Sequence, residues 1–232
     1  MAQPATRSQA VLSERTVFLL DVDNTLLDND RFGADLTAKL DELFGIPARE
    51  RYWSLFQSLR DEVGYADYLG ALQRFRSGLD DDPHLLVISG YLLEYPFVEL
   101  LFPQALEVIA HLQRFGRPVI LSDGDVVFQP RKIHRSGIWD AVRGNVLIYI
   151  HKEQVLDHVQ ERRPAAHYVM VDDKPHLLAA MKRVLGSRLT TVFVRQGHYA
   201  LAPGSNEVHP APDRIIERIA DLLQTTSENF EV

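Results

Sequence analysis

The chain has 232 residues, 46% hydrophobic and 25% charged, a length that suits one large domain or a domain with a smaller insert. Its formal net charge of −7 argues against a broad nucleic-acid or anionic-membrane surface. Cysteine is absent, which excludes disulfides, thiolate zinc sites and a cysteine nucleophile and favours a reducing cytoplasm.

Residues 1–15 are polar and lack the apolar core of a signal peptide. Val17-Phe18-Leu19-Leu20 reads as a short buried strand. It runs into Asp21 and Asp23, which share a face if the extended geometry continues. Carboxylates that close repel unless a cation separates them, and Mg2+ prefers such oxygen ligands. Asp28-Asn29-Asp30 then marks a turn. From about Arg31 to Tyr95 the pattern is helical. Leu36, Leu40, Leu43 and Phe44 recur at helical spacing, then Tyr52, Leu55, Phe56 and Leu59, then Tyr68, Leu69, Leu72 and Phe75. Gly45-Ile46-Pro47 and Asp80-Asp81-Asp82-Pro83 interrupt it, the aspartates reading as a solvated capping turn. The apolar stretch Leu85 to Phe102 contains Glu94, Pro96 and Glu99, so it is a poor membrane span.

Leu106, Ile109 and Leu112 mark a helix closed by Gly116. A second strand, Arg117 to Leu121, ends in Ser122-Asp123-Gly124-Asp125, and a helix through Ile133 ends near Gly137. A third strand, Asn145 to Ile150, is followed by His151, Lys152 and a helix through Val155 and Val159. A fourth, Tyr168 to Val171, ends in Asp172-Asp173-Lys174-Pro175 and leads to a helix through Leu177, Leu178, Met181 and Val184. Thr190 to Val194 is a fifth strand, and Ile215, Ile216, Ile219 and Leu222 predict a last helix. Strands alternating with helices predict an α/β fold: a doubly wound parallel sheet with a small helical insert.

Four strand ends carry the groups that phosphoryl transfer needs. Asp21 and Asp23 follow the first strand. The second supplies the Ser122 hydroxyl, with Gly124 letting backbone N–H groups approach an anion. Lys152 follows the third, and Asp172 and Asp173 end the fourth. In a parallel sheet these ends converge on one edge.

Asp21-Val22-Asp23-Asn24-Thr25, Ser122, Lys152 and Asp172-Asp173 resemble the four motifs of the haloacid dehalogenase superfamily, over roughly Val17 to Val194. The resemblance implies a Rossmann-like catalytic core, residues 1–28 and 101–232, and an α-helical cap, residues 29–100. It implies that Asp21 is the nucleophile and that Asp23 is the acid and base. Ser122, Asp123 and Lys152 would hold the phosphoryl group. Asp21, Asp23 (through its carbonyl), Asp172 and Asp173 would hold Mg2+. The implied activity is a cytoplasmic, Mg2+-dependent phosphatase acting on a small phosphorylated metabolite through an aspartyl-phosphate. A phosphomutase or a non-catalytic binding module is the alternative. Dehalogenation needs no acid two residues after the nucleophile. A phosphonate hydrolase of this superfamily needs a cap lysine, and none lies between Lys39 and Lys132. Thr25 reads as a brace for the loop, Lys174 as a salt-bridge partner of the acidic pair, and His151 as solvent-facing. Arg60, Arg74, Arg76, Tyr52, Trp53 and Tyr65 are candidate substrate contacts, most of them expected in the core or on the surface.

Overall fold

The structure, a computed structural model, describes residues 16–202 and 207–226, so the reading of residues 1–15 lies outside the described residues. Strand β1 (Thr16–Leu20) leads through the aspartate turn into four helices: α1 (Asn29–Phe44), α2 (Ile46–Val63), α3 (Tyr68–Phe75) and α4 (His84–Glu94). A 3-10 turn, Phe97–Leu100, closes this segment. Then follow α5 (Ala105–Leu112), β2 (Arg117–Asp123), α6 (Phe128–Arg135), α7 (Ile138–Ala141), β3 (Val146–Tyr149) and α8 (Leu156–Arg162). The chain continues with β4 (His167–Asp172), α9 (Pro175–Leu185), β5 (Leu189–Val194), α10 (Gly197–Leu201) and β6 (Arg214–Ile216).

The six strands form one sheet in the order β3-β2-β1-β4-β5-β6, every pairing parallel. Crossing helices cover both faces, as parallel sheets require. The strand residues divide by alternation. Phe18, Leu20, Ile120, Val169 and Val171 join one hydrophobic cluster, and Val17, Leu19, Val119, Leu121, Tyr168 and Met170 the other. The first cluster runs on without a break into Phe32, Leu36, Tyr52, Phe56 and Phe75 of the helical segment.

Phe32 is the joint between that segment and the sheet. It is fully buried, with ring centroids of Tyr68, Tyr95, Phe97 and Phe128 at 5.2, 5.0, 5.4 and 5.7 Å. The triple aspartate leads into α4, whose N-cap is Pro83 with no side-chain cap, although Asp82 accepts the His84 N–H at 2.9 Å within that turn.

The C-terminal end departs from expectation. Ile215 and Ile216 belong to strand β6, and Ile219 and Leu222 to a 3-10 helix, Ile219–Gln224, where a single helix was predicted. The cause is Asp213. Its carboxylate accepts from the Thr191 N–H (2.8 Å), the Thr191 hydroxyl (2.9 Å) and Lys182 Nζ (2.8 Å). That lays the following residues alongside β5, and helical periodicity gives way to sheet pairing. The polar loop before it also contains α10, which the pattern did not reveal.

Phe32→Ala removes the joint and should destabilise the protein by about 3–5 kcal/mol, the usual range for a fully buried aromatic. Urea unfolding of the two proteins measures it, and a loss under about 1 kcal/mol would show that the joint is not where the segment is held.

Candidate active site

The site lies at the carboxyl ends of β1, β2, β3 and β4, where the sheet order reverses direction and a crevice opens. The Asp21 N–H donates to the Val171 carbonyl at 3.0 Å, which carries the ladder one residue past β1. The chain then turns sharply. Asn24 sits at φ 59, in the left-handed region that asparagine tolerates. The N–H groups of Thr25, Leu26 and Leu27 fold back on the Val22 carbonyl at 3.3, 2.9 and 2.9 Å. Gly197 packs against this turn so closely that a Cβ there would meet the Asn24 side chain at 2.4 Å.

Lys152 is fully buried and stands at the centre. Its Nζ donates to Asp21 Oδ1 at 2.5 Å, lies 2.6 Å from Asp172 Oδ2, and is 3.4 Å from the Leu121 carbonyl. Burial disfavours its charge, but Asp172 and Asp21 outweigh that and hold the ammonium well above its ordinary range. Asp21 is pushed up to about 6, burial outweighing the opposing pull of Lys152, with the Asp172 charge adding to the rise. Thr25 Oγ1 donates to Asp21 Oδ2 at 3.3 Å and so braces the carboxylate as well as the loop.

Asp21, Asp172 and Asp173 bring one carboxylate oxygen each within 4.8 Å of one another. Both oxygens of Asp173 are buried without a hydrogen-bond partner. Burial first, then the Asp172 and Asp21 charges, push its carboxyl up to about 9. Orphaned carboxylate oxygens facing two further carboxylates are the donor set of a hard divalent cation. The residues therefore fit Mg2+.

The two aspartates of the opening turn have separate partners. Asp23 Oδ1 accepts from Lys132 Nζ at 2.6 Å, and Asp23 Oδ2 from Gln129 Nε2 at 3.2 Å. The same Gln129 amide donates to Ser122 Oγ at 2.9 Å. Lys132 is buried beside the rings of Phe128, Phe32 and Tyr68, 5.5–6.0 Å from their centroids, and also donates to Asn29 Oδ1 at 3.0 Å. Sequence reasoning missed both Lys132 and Gln129. Their spacing, one helical turn apart directly after the Ser122 motif, was the available signal.

Asp23 thus lies outside the three-carboxylate group, whereas Asp21, Lys152, Asp172 and Asp173 come together. Ser122 is buried next to them, its hydroxyl donating to the Asp123 carbonyl at 3.2 Å. Asp123 accepts the Lys152 N–H at 2.8 Å, and burial raises its carboxyl against the opposing Lys152 charge. The Gly124 N–H is not free for an anion, because it donates to the Tyr149 carbonyl at 3.0 Å. Glycine there instead admits Gln129, whose side chain a Cβ would meet at 3.0 Å. Lys174 does not pair with the acidic residues at ion-pair distance. Its Nζ sits 5.2 Å from the Tyr199 ring centroid. His151 is exposed, as expected.

A cavity of about 510 Å³ lies beside the site, with Asp23, Asn24 and Lys174 in its wall, while Asp21, Ser122, Lys152, Asp172 and Asp173 are not part of its lining. Of the six candidate contacts from the helical segment, Arg60 and Trp53 line it. Tyr52 is core, its hydroxyl donating to the Tyr68 carbonyl at 3.0 Å. Arg74 and Arg76 pair elsewhere with Glu62 and Asp80. Tyr65 is not part of the lining.

No protein-family model and no curated protein matches the chain. Among solved structures, a haloacid dehalogenase-like hydrolase from Burkholderia xenovorans is 57% identical with a TM-score of 0.85, over 91% of this chain and 99% of that one. A magnesium-bound HAD hydrolase from Bacillus subtilis shares the fold at 19% identity and a TM-score of 0.58, over 92% and 100% of the two chains. An L-2-haloacid dehalogenase shares it at 19% identity and 0.60, over 90% and 98%.

Asp173 supplies a test of the metal donor set. Its carboxyl keeps a proton up to about pH 9 when folded, against an ordinary value of 3.8. The metal-free protein therefore binds more protons folded than unfolded, and its stability falls as pH rises through that window. A cation displaces the proton, so its binding strengthens with pH over the same range. Thermal melts with and without Mg2+ should show a larger stabilisation near pH 9 than near pH 6, the values reached by Asp173 and Asp21. Equal or absent shifts at the two pH values would exclude Asp173 as a ligand.

Proposed function

Because the chain belongs to the haloacid dehalogenase-like hydrolases, we propose that it is a Mg2+-dependent phosphatase acting on a small phosphorylated metabolite. On this reading the catalytic core takes in the described residues 16–28, 101–202 and 207–226, and the cap takes in residues 29–100. The absence of cysteine agrees with work in a reducing cytoplasm. Among the described residues, no helix is long and apolar enough to cross a membrane.

The observation that carries this reading is the Asp21–Asp172–Asp173 group around the buried ammonium of Lys152. A carboxylate nucleophile attacking an anionic phosphoryl group must first overcome charge repulsion. Positioned cations are the main means of doing so. Mg2+, when held by Asp21, Asp172, Asp173 and the Asp23 carbonyl, would neutralise charge on the phosphoryl oxygens. Halide departs as a stable anion, whereas an alkoxide needs a proton, and Asp23 stands two residues from the nucleophile to give one.

In the first step an Asp21 oxygen bonds to phosphorus and the ester P–O bond breaks. The leaving oxygen takes the Asp23 proton. Lys152 and the Ser122 hydroxyl hold the phosphoryl oxygens. In the second step Asp23 takes a proton from water, whose oxygen attacks phosphorus and frees Asp21. Asp23 enters the first step as the carboxylic acid and regains that proton from water in the second. Lys132 and Gln129 position its carboxyl group, and Gln129 couples that position to Ser122.

Asp21→Asn should leave no aspartyl-phosphate and activity at background. Asp23→Asn should slow alkyl phosphate turnover by roughly 10²–10⁴-fold, the span of general acid–base catalysis. Aryl phosphates have better leaving groups, so their transfer step should suffer less, while the phosphoenzyme persists longer. Burst kinetics on both esters checks this, and full alkyl phosphate turnover in Asp23→Asn would refute the acid–base assignment.

Activity should vanish with a chelator and return with Mg2+, while Ca2+, which prefers looser coordination, should restore little. Turnover that persists in excess chelator would remove the metal from the reaction.

A further inference from the structure

The cavity wall holds cationic charge that phosphoryl transfer leaves over. Arg60, in the last turn of α2, is the clearest case. Four other arginines of the helical segment meet carboxylates: Arg31 with Asp35, Arg49 with Asp41, Arg74 with Glu62, and Arg76 with Asp80, at 3.8, 3.4, 2.8 and 2.9 Å. Arg60 is half-buried and meets none among the described residues. Its Nη2 donates to the Tyr199 hydroxyl at 2.6 Å, with the guanidinium 5.9 Å from that ring. Lys174 stands over the same ring at 5.2 Å, between Arg60's partner and the carboxylate group. It has no carboxylate at ion-pair distance among the described residues, yet the Asp21, Asp172 and Asp173 charges outweigh its burial and hold its ammonium above the ordinary range.

The acidic groups of the cavity cannot supply the missing anion, because they are already committed. Asp23 is held by Lys132 and Gln129. Asp30 accepts from Asn24 Nδ2 at 3.0 Å and the His198 N–H at 2.8 Å, and its Oδ1 lies 2.5 Å from His198 Nδ1. Arg60 therefore presents a half-buried guanidinium to the cavity with no carboxylate on it among the described residues, and its planar fork matches a carboxylate or phosphate. The adjoining wall is aromatic, formed by Trp53, Phe56 and Tyr68.

We infer that Arg60, supported by Lys174, binds a second anionic group of the substrate, a carboxylate or a second phosphate carried on the leaving alcohol. The substrate class is then a phosphorylated hydroxy acid or a bisphosphate, with a short carbon body lying against the aromatic wall. A neutral sugar phosphate would leave Arg60 unsatisfied. This rests on the phosphatase reading of the same site. Arg60 is a specificity residue and takes no part in the bond-making steps.

Non-hydrolysable phosphonates test it by calorimetry on the Mg2+-loaded protein. The ligands are alkylphosphonates of increasing chain length and their ω-carboxy and ω-phosphono counterparts. At one chain length an anionic end group should tighten binding by roughly tenfold or more, the worth of a charge-assisted hydrogen bond. The better of the two end groups distinguishes the hydroxy acid from the bisphosphate. Arg60→Gln, which can still donate to Tyr199, should close that gap. Arg60→Lys, which keeps the charge without the fork, should restore part of it. No preference for an anionic end group at any length overturns the inference, as does a gap unchanged in Arg60→Gln. Should Arg60→Gln fail to fold, the parent's preference and the Arg60→Lys gap decide the matter. Since these ligands cannot turn over, the result is separate from the phosphatase reading, which stands or falls on turnover of aryl and alkyl phosphates.

Discussion

One buried ammonium governs the architecture of this site. Lys152 has no exposed surface, and it holds Asp21 and Asp172 together from the ends of two adjacent strands. Removing a charge from water is expensive, and only close, well-directed partners offset the loss. Those partners exist because of the sheet order. Lys152 follows β3, which is separated from β1 by β2. The side chain must therefore pass over the end of β2, where its Nζ lies 3.4 Å from the Leu121 carbonyl. A shorter cation would stop above β2, and a planar guanidinium would need room that a fully buried position does not offer. The topology thus selects lysine, and the lysine in turn permits two carboxylates to lie side by side.

A second lysine divides the work of the two opening aspartates. They stand two residues apart, yet Asp21 meets Lys152 and Asp23 meets Lys132. The left-handed Asn24 turn follows Asp23 and folds the chain back on the Val22 carbonyl. One aspartate joins a group of carboxylates suited to a cation. The other is fixed by a helix that packs against the aromatic joint at Phe32. Asp23 and Lys132 balance one another, whereas Lys152 alone faces three carboxylates, and that excess of negative charge is what suits the first half to a cation.

Much of this was legible in the sequence because strand ends are local features and convergence at a parallel sheet's edge is a rule of topology. Asp21, Ser122 and Asp172 directly follow apolar runs, with Asp173 next in line and Lys152 one residue further on after His151, so locating the strands located them. What escaped depends on distant pairing. Lys132 meets Asp23 across 109 residues, and Arg60 meets Tyr199 across 139. No local pattern distinguishes a lysine on a helix face that turns inward from one that faces water. The same limit explains Lys174, whose acidic neighbours in sequence suggested a salt bridge while its side chain rests over Tyr199. At the C-terminal end Ile215, Ile216, Ile219 and Leu222 fit a helix as well as a strand followed by a turn. Asp213, by bonding to Thr191, decides between them.

The contacts between the helical segment and the sheet are of two unequal kinds. On one side Phe32 and its ring of aromatics form continuous buried apolar surface, which is costly to expose. On the cavity side the contacts are polar and partly exposed: Arg60 with Tyr199, and Asp30 with His198. Polar contacts at a wet edge contribute little, because water replaces them readily. Exposing the Arg60 edge therefore costs less than exposing the Phe32 joint. Arg60 also lines the cavity, so a ligand bridging Arg60 and the carboxylate group would add contacts on that weaker side. On the proposed phosphatase reading, binding energy gained far from phosphorus would serve to exclude water around it, where each electrostatic contact becomes stronger.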